Sequence, residues 1–213
     1  RAAEPLLDMK LFDSTIFRMS NLAALLNYSA TFAITFLLSL YLQLVRGMEA
    51  SSAGMLLLLQ PLAMAALSPT AGALSDRHEP RIVASVGVAV TMAGLVLFAL
   101  FDAQTPLYLI GANLLFIGIG FALFSSPNSN AIMGAVKPDF FGVASSILAV
   151  MRISGQTISM SVVTMMLALY TLPPYDAGYL QSFTAALHYI FAVLSFTCLI
   201  GVGASLARGD KEA

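Results

Sequence analysis

The stretch GALSDRHEPR, from Gly72 to Arg81, decides the fold because it concentrates charge in a chain where charged residues are scarce. An apolar segment precedes it and another follows it, and each is about long enough to cross a hydrocarbon core of roughly 30 Å at about 1.5 Å of helix rise per residue. Gly72 permits close contact between helices, and Pro80 ends one helix and begins the next. The stretch therefore predicts a charged turn between two membrane-spanning helices.

The composition of the whole chain is that of an integral membrane protein. Hydrophobic residues make up 59% of its 213 residues and charged residues only 10%, whereas about a quarter of the residues in a typical soluble domain are charged. The net charge is -1 and the charges lie in short clusters, so we expect neither a nucleic-acid-binding face nor a basic helix on a membrane surface. The single cysteine, Cys198, supports no internal disulfide and no cysteine metal site.

Six apolar segments, separated by short polar joints, are long enough to span a membrane. The predicted spans are residues 16–45, 51–74, 82–101, 106–136, 141–172 and 181–207, with a linker at residues 1–15 and a tail at residues 208–213. The sequence therefore predicts an all-α membrane protein with antiparallel neighbouring helices. Apart from Arg152, which is inside a span, the Lys and Arg residues lie at the end of the bundle that carries both termini, and only Arg46 lies at the other end. Since basic residues are retained in the cytoplasm, both termini are predicted to be cytoplasmic.

Polar stripes at helical spacing mark four of the six predicted helices. Within a membrane, such a stripe must face protein or water rather than lipid. The first, second, fourth and fifth helices are therefore expected to surround a water-accessible cavity, and the third and sixth, which lack stripes, to face lipid. The candidate cavity residues are Asn27, Thr31, Thr35, Gln60, Met64, Asn113, Phe124, Asn128, Arg152 and Gln156. The alternative is that a stripe only joins helices through small side chains and hydrogen bonds.

Two ionisable side chains lie inside predicted spans. Arg152 is near the middle of its helix, where a charge costs about 2.5–3.5 kcal/mol on insertion scales, so it is expected to face the interior and to have a partner. In a functional role, that partner is an anionic group of the substrate or a carboxylate from elsewhere in the transporter. In a structural role, it is a backbone carbonyl or an amide such as that of Asn128 or Gln156. His188 is expected to pack or to lie at the interface rather than to transfer protons. No Asp or Glu lies within a span, so a coupling carboxylate, whose pKa burial must raise, is expected elsewhere in the protein.

Several motifs, in one order along the chain, resemble the major facilitator superfamily of transporters. The pattern G-x-L-x-D-R-x-x-x-R from Gly72 to Arg81 is similar to the family's signature loop between two helices. The leading DMKLFDSTIFRMSNLAALL, residues 8–26, resembles the cytoplasmic linker that enters the second half. One departure is Glu79, where the family usually has Gly. A residue other than glycine pays more for a positive φ at this position. The turn is therefore expected either to differ from the family's turn or to be compensated by Pro80.

The stretch from Phe121 to Gln156 resembles the passage from the fourth to the fifth helix in the drug:proton antiporters of that superfamily. It contains a Pro-Asn pair at Pro127, a Gly-x-Ala-Ser start at Gly142 and an Arg-x-x-Gly at Arg152. The resemblance implies the C-terminal six-helix half of a multidrug efflux transporter, in which two halves alternate the access of a midplane site. It also implies a gating loop that consists of Gly72, Asp76, Arg77, Arg81 and Gly142.

The same resemblance implies the surroundings of the protein. Its partners would be the N-terminal six-helix half of the transporter, a small amphipathic substrate, protons and the lipid bilayer of the cell membrane. No metal, cofactor, enzymatic activity or nucleic acid is implied. In this family the loop that holds Asp76 meets the start of the fifth helix of the other half, so residues 141–144 are the expected receptor for the reciprocal contact.

Two other functional classes stay open. A non-transporting membrane subunit or a channel would share the six spans. An intramembrane serine protease would need a Ser and a His on adjacent helices, which Ser154 and His188 offer, although Arg152 lies close to the nucleophile and no Gly-rich oxyanion loop accompanies it. Peptidase activity that Ser154→Ala abolishes, ion current, or gradient-dependent export would separate the three classes.

Overall fold

The computed structural model describes residues 9–173 and 176–208, which are almost entirely helical. Six of its helices are long and apolar enough to cross a membrane: α1 (Thr15–Val45), α2 (Ala50–Arg77), α3 (Pro80–Leu100), α4 (Leu107–Gly134), α5 (Pro138–Tyr170) and α6 (Tyr179–Leu206). Their bounds differ from those of the predicted segments by a few residues at most. The prediction of an all-α fold with six membrane-spanning helices is therefore confirmed, while the predicted linker and tail lie largely outside the described residues.

The charged turn between α2 and α3 follows one of the courses that the sequence left open, since Glu79 does not adopt a positive φ. His78 has φ -125° and ψ 159°, and Glu79 has φ -54° and ψ 121°. No residue other than glycine has a positive φ in the described ranges, so Glu79 avoids the left-handed conformation that would be costly for it. Its carboxylate instead forms an ion pair with Arg81, at 2.8 Å from Nε, and Pro80 occupies the first turn of α3, where a missing N–H costs nothing.

Two of the spans, α2 and α1, are locally irregular. In α2 the α-helix breaks at Leu58, three residues before Pro61, which has no N–H to donate to the Leu57 carbonyl. In α1 the last turn, Tyr41–Val45, is a π-helix. Gly47, with φ 62°, then reverses the chain toward α2, in a conformation that glycine adopts without steric cost.

Helices α3 and α4 meet in a close contact that we call the α3–α4 seam, made by Gly87, Thr91, Gly94, Asn113 and Gly120. A Cβ atom on Gly87 would lie 2.5 Å from the backbone nitrogen of Phe124, and one on Gly120 would lie 2.6 Å from Oγ1 of Thr91. Small residues are the usual means by which membrane helices approach each other, since the lipid supplies no hydrophobic force between them. The seam therefore fixes α3 against α4 at backbone distance.

The expectation that α3 faces lipid is only partly right. Half of the most apolar stretch of α3 is buried inside the bundle, whereas only 17% of the corresponding stretch of α2 and 22% of that of α5 are buried. Besides the seam, α3 packs on α6, where the hydroxyl of Ser85 donates a hydrogen bond to that of Ser205 at 2.8 Å. The reason is its run of small side chains, which let α4 and α6 approach although they form no polar stripe. Helix α3 is thus a packing element of the bundle, and α2 and α5 are its most exposed walls.

Side chains from α1 and α6 cap the backbone at the end of α3 farthest from the charged turn. His188 Nε2 lies 2.7 Å from the Phe101 carbonyl oxygen, and the hydroxyl of Tyr41 donates to the Asp102 carbonyl at 2.6 Å. Arg46 donates to the carbonyl of Thr105 at 2.6 Å. Within this turn, hydrogen bonds from the Gln104 backbone N–H and then the Thr105 hydroxyl hold the pKa of Asp102 below its usual value. The bonds from His188, Tyr41 and Arg46 pair carbonyls of the loop that follows α3.

Candidate functional site

A cavity of about 620 Å³ opens where α1, α2, α4 and α5 come together. No residue of α3 or α6 lies among those that line it. Its aromatic lining residues are Tyr28, Phe32, Phe36 and Phe121, its polar ones are Thr31, Thr35, Ser39, Gln60 and Gln156, and Leu57 and Met160 complete the wall. We call this set the cavity wall. Its mixture of apolar surface with a few neutral polar groups is typical of small-molecule sites.

Helix α1 supplies one long face of the cavity wall. Its lining residues recur every three or four positions from Tyr28 to Ser39, which places them along one side of an α-helix. The hydroxyl of Thr31 donates to the Asn27 carbonyl at 2.8 Å, so in that state it offers its oxygen as an acceptor. Ser39 accepts from the side-chain amide of Gln43 at 2.9 Å. This face therefore combines aromatic rings with hydrogen-bonding groups of no net charge.

The position of Gln60 on the wall depends on two features of its surroundings. Pro61 follows it and leaves the neighbouring helix backbone without one hydrogen bond, at Leu57. On the other side Gly118 of α4 lies so close that a Cβ atom there would be 2.5 Å from the Gln60 carbonyl oxygen. A glycine at this point lets α4 support α2 through the backbone, and both Leu57 and Gln60 line the cavity.

Helix α5 forms another side of the cavity and packs closely against α1 at two points. A Cβ atom on Gly155 would lie 2.6 Å from the Leu25 carbonyl oxygen, which shows how closely the helices meet. The hydroxyl of Ser159 accepts the backbone N–H of Ala33 at 3.2 Å. Gln156 and Met160, the residues directly after Gly155 and Ser159, line the cavity, and both also border a shallower hollow of about 410 Å³.

Arg152 lies at the edge of the cavity, next to Tyr28, and is not part of the cavity wall. Its guanidinium carbon is 5.0 Å from the centre of the Tyr28 ring, a distance at which a cation is attracted by the face of an aromatic ring. The same ring meets Phe121 edge to face, with 5.4 Å between centroids. Among the residues that the structure describes, the only ion pair is that of Arg81 with Glu79, so Arg152 has no carboxylate partner there.

The predicted cavity residues do not all lie at the cavity. Thr31, Thr35, Gln60 and Gln156 lie on the cavity wall, and Arg152 lies at its edge. Met64 is half-buried, one turn beyond Gln60, and is not on the wall. The remaining four, Asn27, Asn113, Phe124 and Asn128, are at most 4% exposed and lie inside the bundle, contrary to the expectation of a water-accessible position.

The burial of the α4 residues has a local cause. The side-chain amide of Asn113 donates to the Gly94 carbonyl at 2.9 Å, across the α3–α4 seam. Phe124 is buried beside the same seam, since its backbone nitrogen is the atom that a Cβ on Gly87 would strike. The polar stripe of α4 thus joins helices, which is the alternative that the sequence left open.

The cavity-wall residues that were not predicted from the sequence are mostly aromatic. Tyr28 and Ser39 belong to the polar arc of the first helix, but Phe32, Phe36 and Phe121 carry no polar signal. The signal that was available is the spacing of Tyr28, Phe32 and Phe36 at intervals of four residues, next to the stripe of hydroxyls. Aromatic rings in a membrane helix usually face lipid or the core, so this spacing is not specific.

The predicted gating residues lie at the end of the bundle that holds the charged turn. Asp76 and Arg77 are exposed in the last turn of α2, and a Cβ atom on Gly142 in the first turns of α5 would meet nothing within 4 Å. Gly72 is closer to its neighbour, since a Cβ there would be 3.2 Å from Oγ of Ser126. The loop is tied to α4 by a hydrogen bond of 3.4 Å from Asn130 to Ser75.

The pairing that a serine protease would require is not seen. His188 contacts the Phe101 carbonyl at the far end of α3, and none of the hydrogen bonds in the described part of the chain joins it to Ser154. Gly155, beside that serine, is packed against α1. The histidine therefore serves as a cap of backbone at one end of the bundle.

Comparison with known proteins gives a consistent picture. Residues 21–212 match the model of the Major Facilitator Superfamily. The chain is 34% identical to the riboflavin transporter RibZ of Clostridioides difficile (strain 630) over 146 residues, which are 68% of this chain and 32% of that protein. It is 30% identical to the multidrug resistance protein Stp of Mycobacterium tuberculosis (strain ATCC 25618 / H37Rv) over 179 residues, 82% of this chain and 33% of that protein. The chain thus spans about a third of the length of the curated relatives it matches.

Proposed function

The chain belongs to the major facilitator superfamily, and on that premise we propose that its six spans are the C-terminal half of a proton-coupled antiporter that exports small amphipathic compounds. Its fold is that of a multi-pass membrane transporter. The proposal places the protein in the cell membrane with the charged turn and both termini in the cytoplasm, as the distribution of Lys and Arg indicates.

The cavity between α1, α2, α4 and α5 is the observation that carries this proposal. Transporters of this kind bind their substrates near the midplane, at the surface where two repeats of the fold meet. The cavity is open, is bordered by apolar rings and amides, and is walled by the two least buried spans, α2 and α5. A second six-helix half would cover these spans and close the site, which gives a reason for their exposure in this half.

The length of the relatives also supports a second half. The riboflavin transporter and the multidrug resistance protein are each about three times as long as the stretch that they share with this chain. The similarity to a multidrug resistance protein supports drug-like substrates, and the similarity to a riboflavin transporter supports a flat, amphipathic metabolite. Both kinds of compound match a cavity lined by aromatic and neutral polar groups.

Proton coupling is assigned to the second half. The cavity wall has no Asp or Glu, and a proton carrier in a membrane needs a carboxylate whose pKa is raised by desolvation and neighbouring charge. In this proposal the present half supplies the binding surface and the gate.

Asp76 would bind the start of the fifth helix of the second half, and Gly142, whose surroundings are open, would receive the reciprocal carboxylate. Double electron–electron resonance distances in Asp76→Asn would stay unchanged if that contact has no role in closing the gate.

Transport by the complete two-half protein in liposomes tests the proposed function. We expect the liposomes to accumulate a fluorescent amphipathic dye when a pH gradient is imposed, and this accumulation to stop when a proton ionophore collapses the gradient. A matched pair of variants sharpens the test: Gln156→Ala removes an amide from the cavity wall, and Gln181→Ala removes one from an exposed position at the start of α6. Dye movement that ignores the gradient, ion current through the protein, or no movement by a folded protein would contradict the proposal.

A further inference from the structure

The charge of the cavity wall is more informative than its size. Its polar groups are hydroxyls and amides, and no carboxylate is among the residues that line it. In the described part of the chain, the only charged side chain in the middle of a span is Arg152, and it lies at the cavity edge without an anionic partner. A guanidinium is protonated under all physiological conditions. The surface that this half presents to a substrate is therefore neutral to positive.

The aromatic rings of the wall are arranged for stacking rather than for cation binding. Tyr28, whose ring would be well suited to attract an organic cation, already has the guanidinium of Arg152 at 5.0 Å from its centre. A second cation at that ring would be repelled by the first. Phe32 and Phe36, by contrast, are 45% and 37% exposed, so their surfaces are available to an offset-stacked planar ring.

The amides complete the chemistry of recognition. Gln60 and Gln156 lie on opposite walls, on α2 and α5, and each offers both donors and an acceptor. Such groups pair with the carbonyls, ring nitrogens and hydroxyls of a heterocycle. They do not compensate the charge of an ammonium group as a carboxylate would.

From this arrangement we infer that the substrates are planar aromatic compounds that are neutral or anionic, and that organic cations are discriminated against. This inference rests on the transport function proposed above and narrows it. Arg152 is the residue that sets the preference for charge, and the exposed rings of α1 set the preference for flat molecules. A flavin, which joins a flat heterocycle to neutral polar groups, has the expected chemistry.

Two xanthene dyes of similar shape and opposite charge test the inference. Transport of fluorescein, an anion at neutral pH, rhodamine 123, a cation, and riboflavin is measured in liposomes that hold the complete two-half protein. We expect the parent protein to move fluorescein and riboflavin at least about tenfold faster than rhodamine 123, since tenfold corresponds to about 1.4 kcal/mol of differential interaction. Arg152→Gln should reduce fluorescein transport about tenfold and leave riboflavin within about twofold.

A second variant keeps the test decisive should Arg152→Gln fold poorly. Gln156→Glu places a carboxylate on the cavity wall and should raise rhodamine 123 transport while lowering that of fluorescein. Arg18→Gln, which removes an exposed charge from the first turn of α1, is the matched control and should change neither ratio. Equal or faster transport of rhodamine 123 by the parent overturns the inference but leaves the transport function standing. No transport of any of the three compounds by a folded protein counts against the transport function itself.

Discussion

The α3–α4 seam and the cavity wall contain similar polar residues but use them in opposite ways. In the seam, Thr91 donates to the Gly87 carbonyl at 3.0 Å and Asn113 to the Gly94 carbonyl at 2.9 Å, and both side chains are buried. On the wall, Thr35 is exposed and Gln60 and Gln156 are partly exposed beside open space. The difference lies in what faces each polar group, because the glycines of the seam let the backbones of α3 and α4 approach, whereas the wall residues border open space. The partner helix thus decides whether a polar stripe joins helices or faces water.

The largest effect that follows from this comparison is expected in the seam. Gly87→Leu forces a side chain into the backbone of α4, where a Cβ atom alone would lie 2.5 Å from Phe124 N and 2.6 Å from the Gly120 carbonyl oxygen. Overpacking of this kind should cost about 3 kcal/mol or more of folding free energy. A large fall in the thermal midpoint of the purified protein, or loss of folded protein, is the expected result. Gly203→Leu on α6, where nothing lies within 4 Å, is the matched control and should melt near the parent.

A substitution on the wall should have the reverse profile. Gln60→Leu removes the amide from the cavity but leaves the contact between the Gln60 backbone and Gly118 in place. We expect the thermal midpoint to stay near that of the parent and the transport rate at low substrate to fall about tenfold, which corresponds to about 1.4 kcal/mol. The measurement is initial uptake into liposomes. Unfolding of this variant would show that the wall serves stability as the seam does, and the comparison would fail.

The smallest effect should come from the residue that the sequence assigns to the cavity and the structure assigns to the seam. Asn113→Leu removes the hydrogen bond to the Gly94 carbonyl and should lower stability by about 1 kcal/mol, in the range found for polar contacts between membrane helices. Transport by the folded fraction should be unchanged. If transport falls while the thermal midpoint holds, Asn113 acts on substrate and the assignment to the seam is incorrect.

The number, length and order of the helices were predictable because they depend on local properties of the chain. Hydropathy over about 20 residues sets a span, and a proline or a charged cluster such as the one at Pro80 sets its ends. The contribution of α1 to the cavity was predictable as well, since Thr31 and Thr35 form a regular arc on a helix that lies beside open space.

The positions of the α4 residues were not predictable in the same way. Asn113, Phe124 and Asn128 share a helical face with each other, but whether that face is covered depends on Gly87 and Gly94 of α3. Those glycines leave no mark on a polarity pattern of α4 itself. The same limit applies to Glu79, because the turn's backbone angles depend on how α2 ends at Arg77, and that depends on tertiary packing.

The caps at the far end of α3 also have a mechanical consequence. Tyr41, Arg46 and His188 bind successive carbonyls between Phe101 and Thr105, so that α1, α3 and α6 are cross-linked at that end. Three helices joined in this way resist bending and sliding as one stiff body. Helix α2, by contrast, is interrupted at Leu58, beside Gln60, and its apolar stretch is the least buried of the six spans. Bending at that break would change the shape of the cavity, since Leu57 and Gln60 both line it.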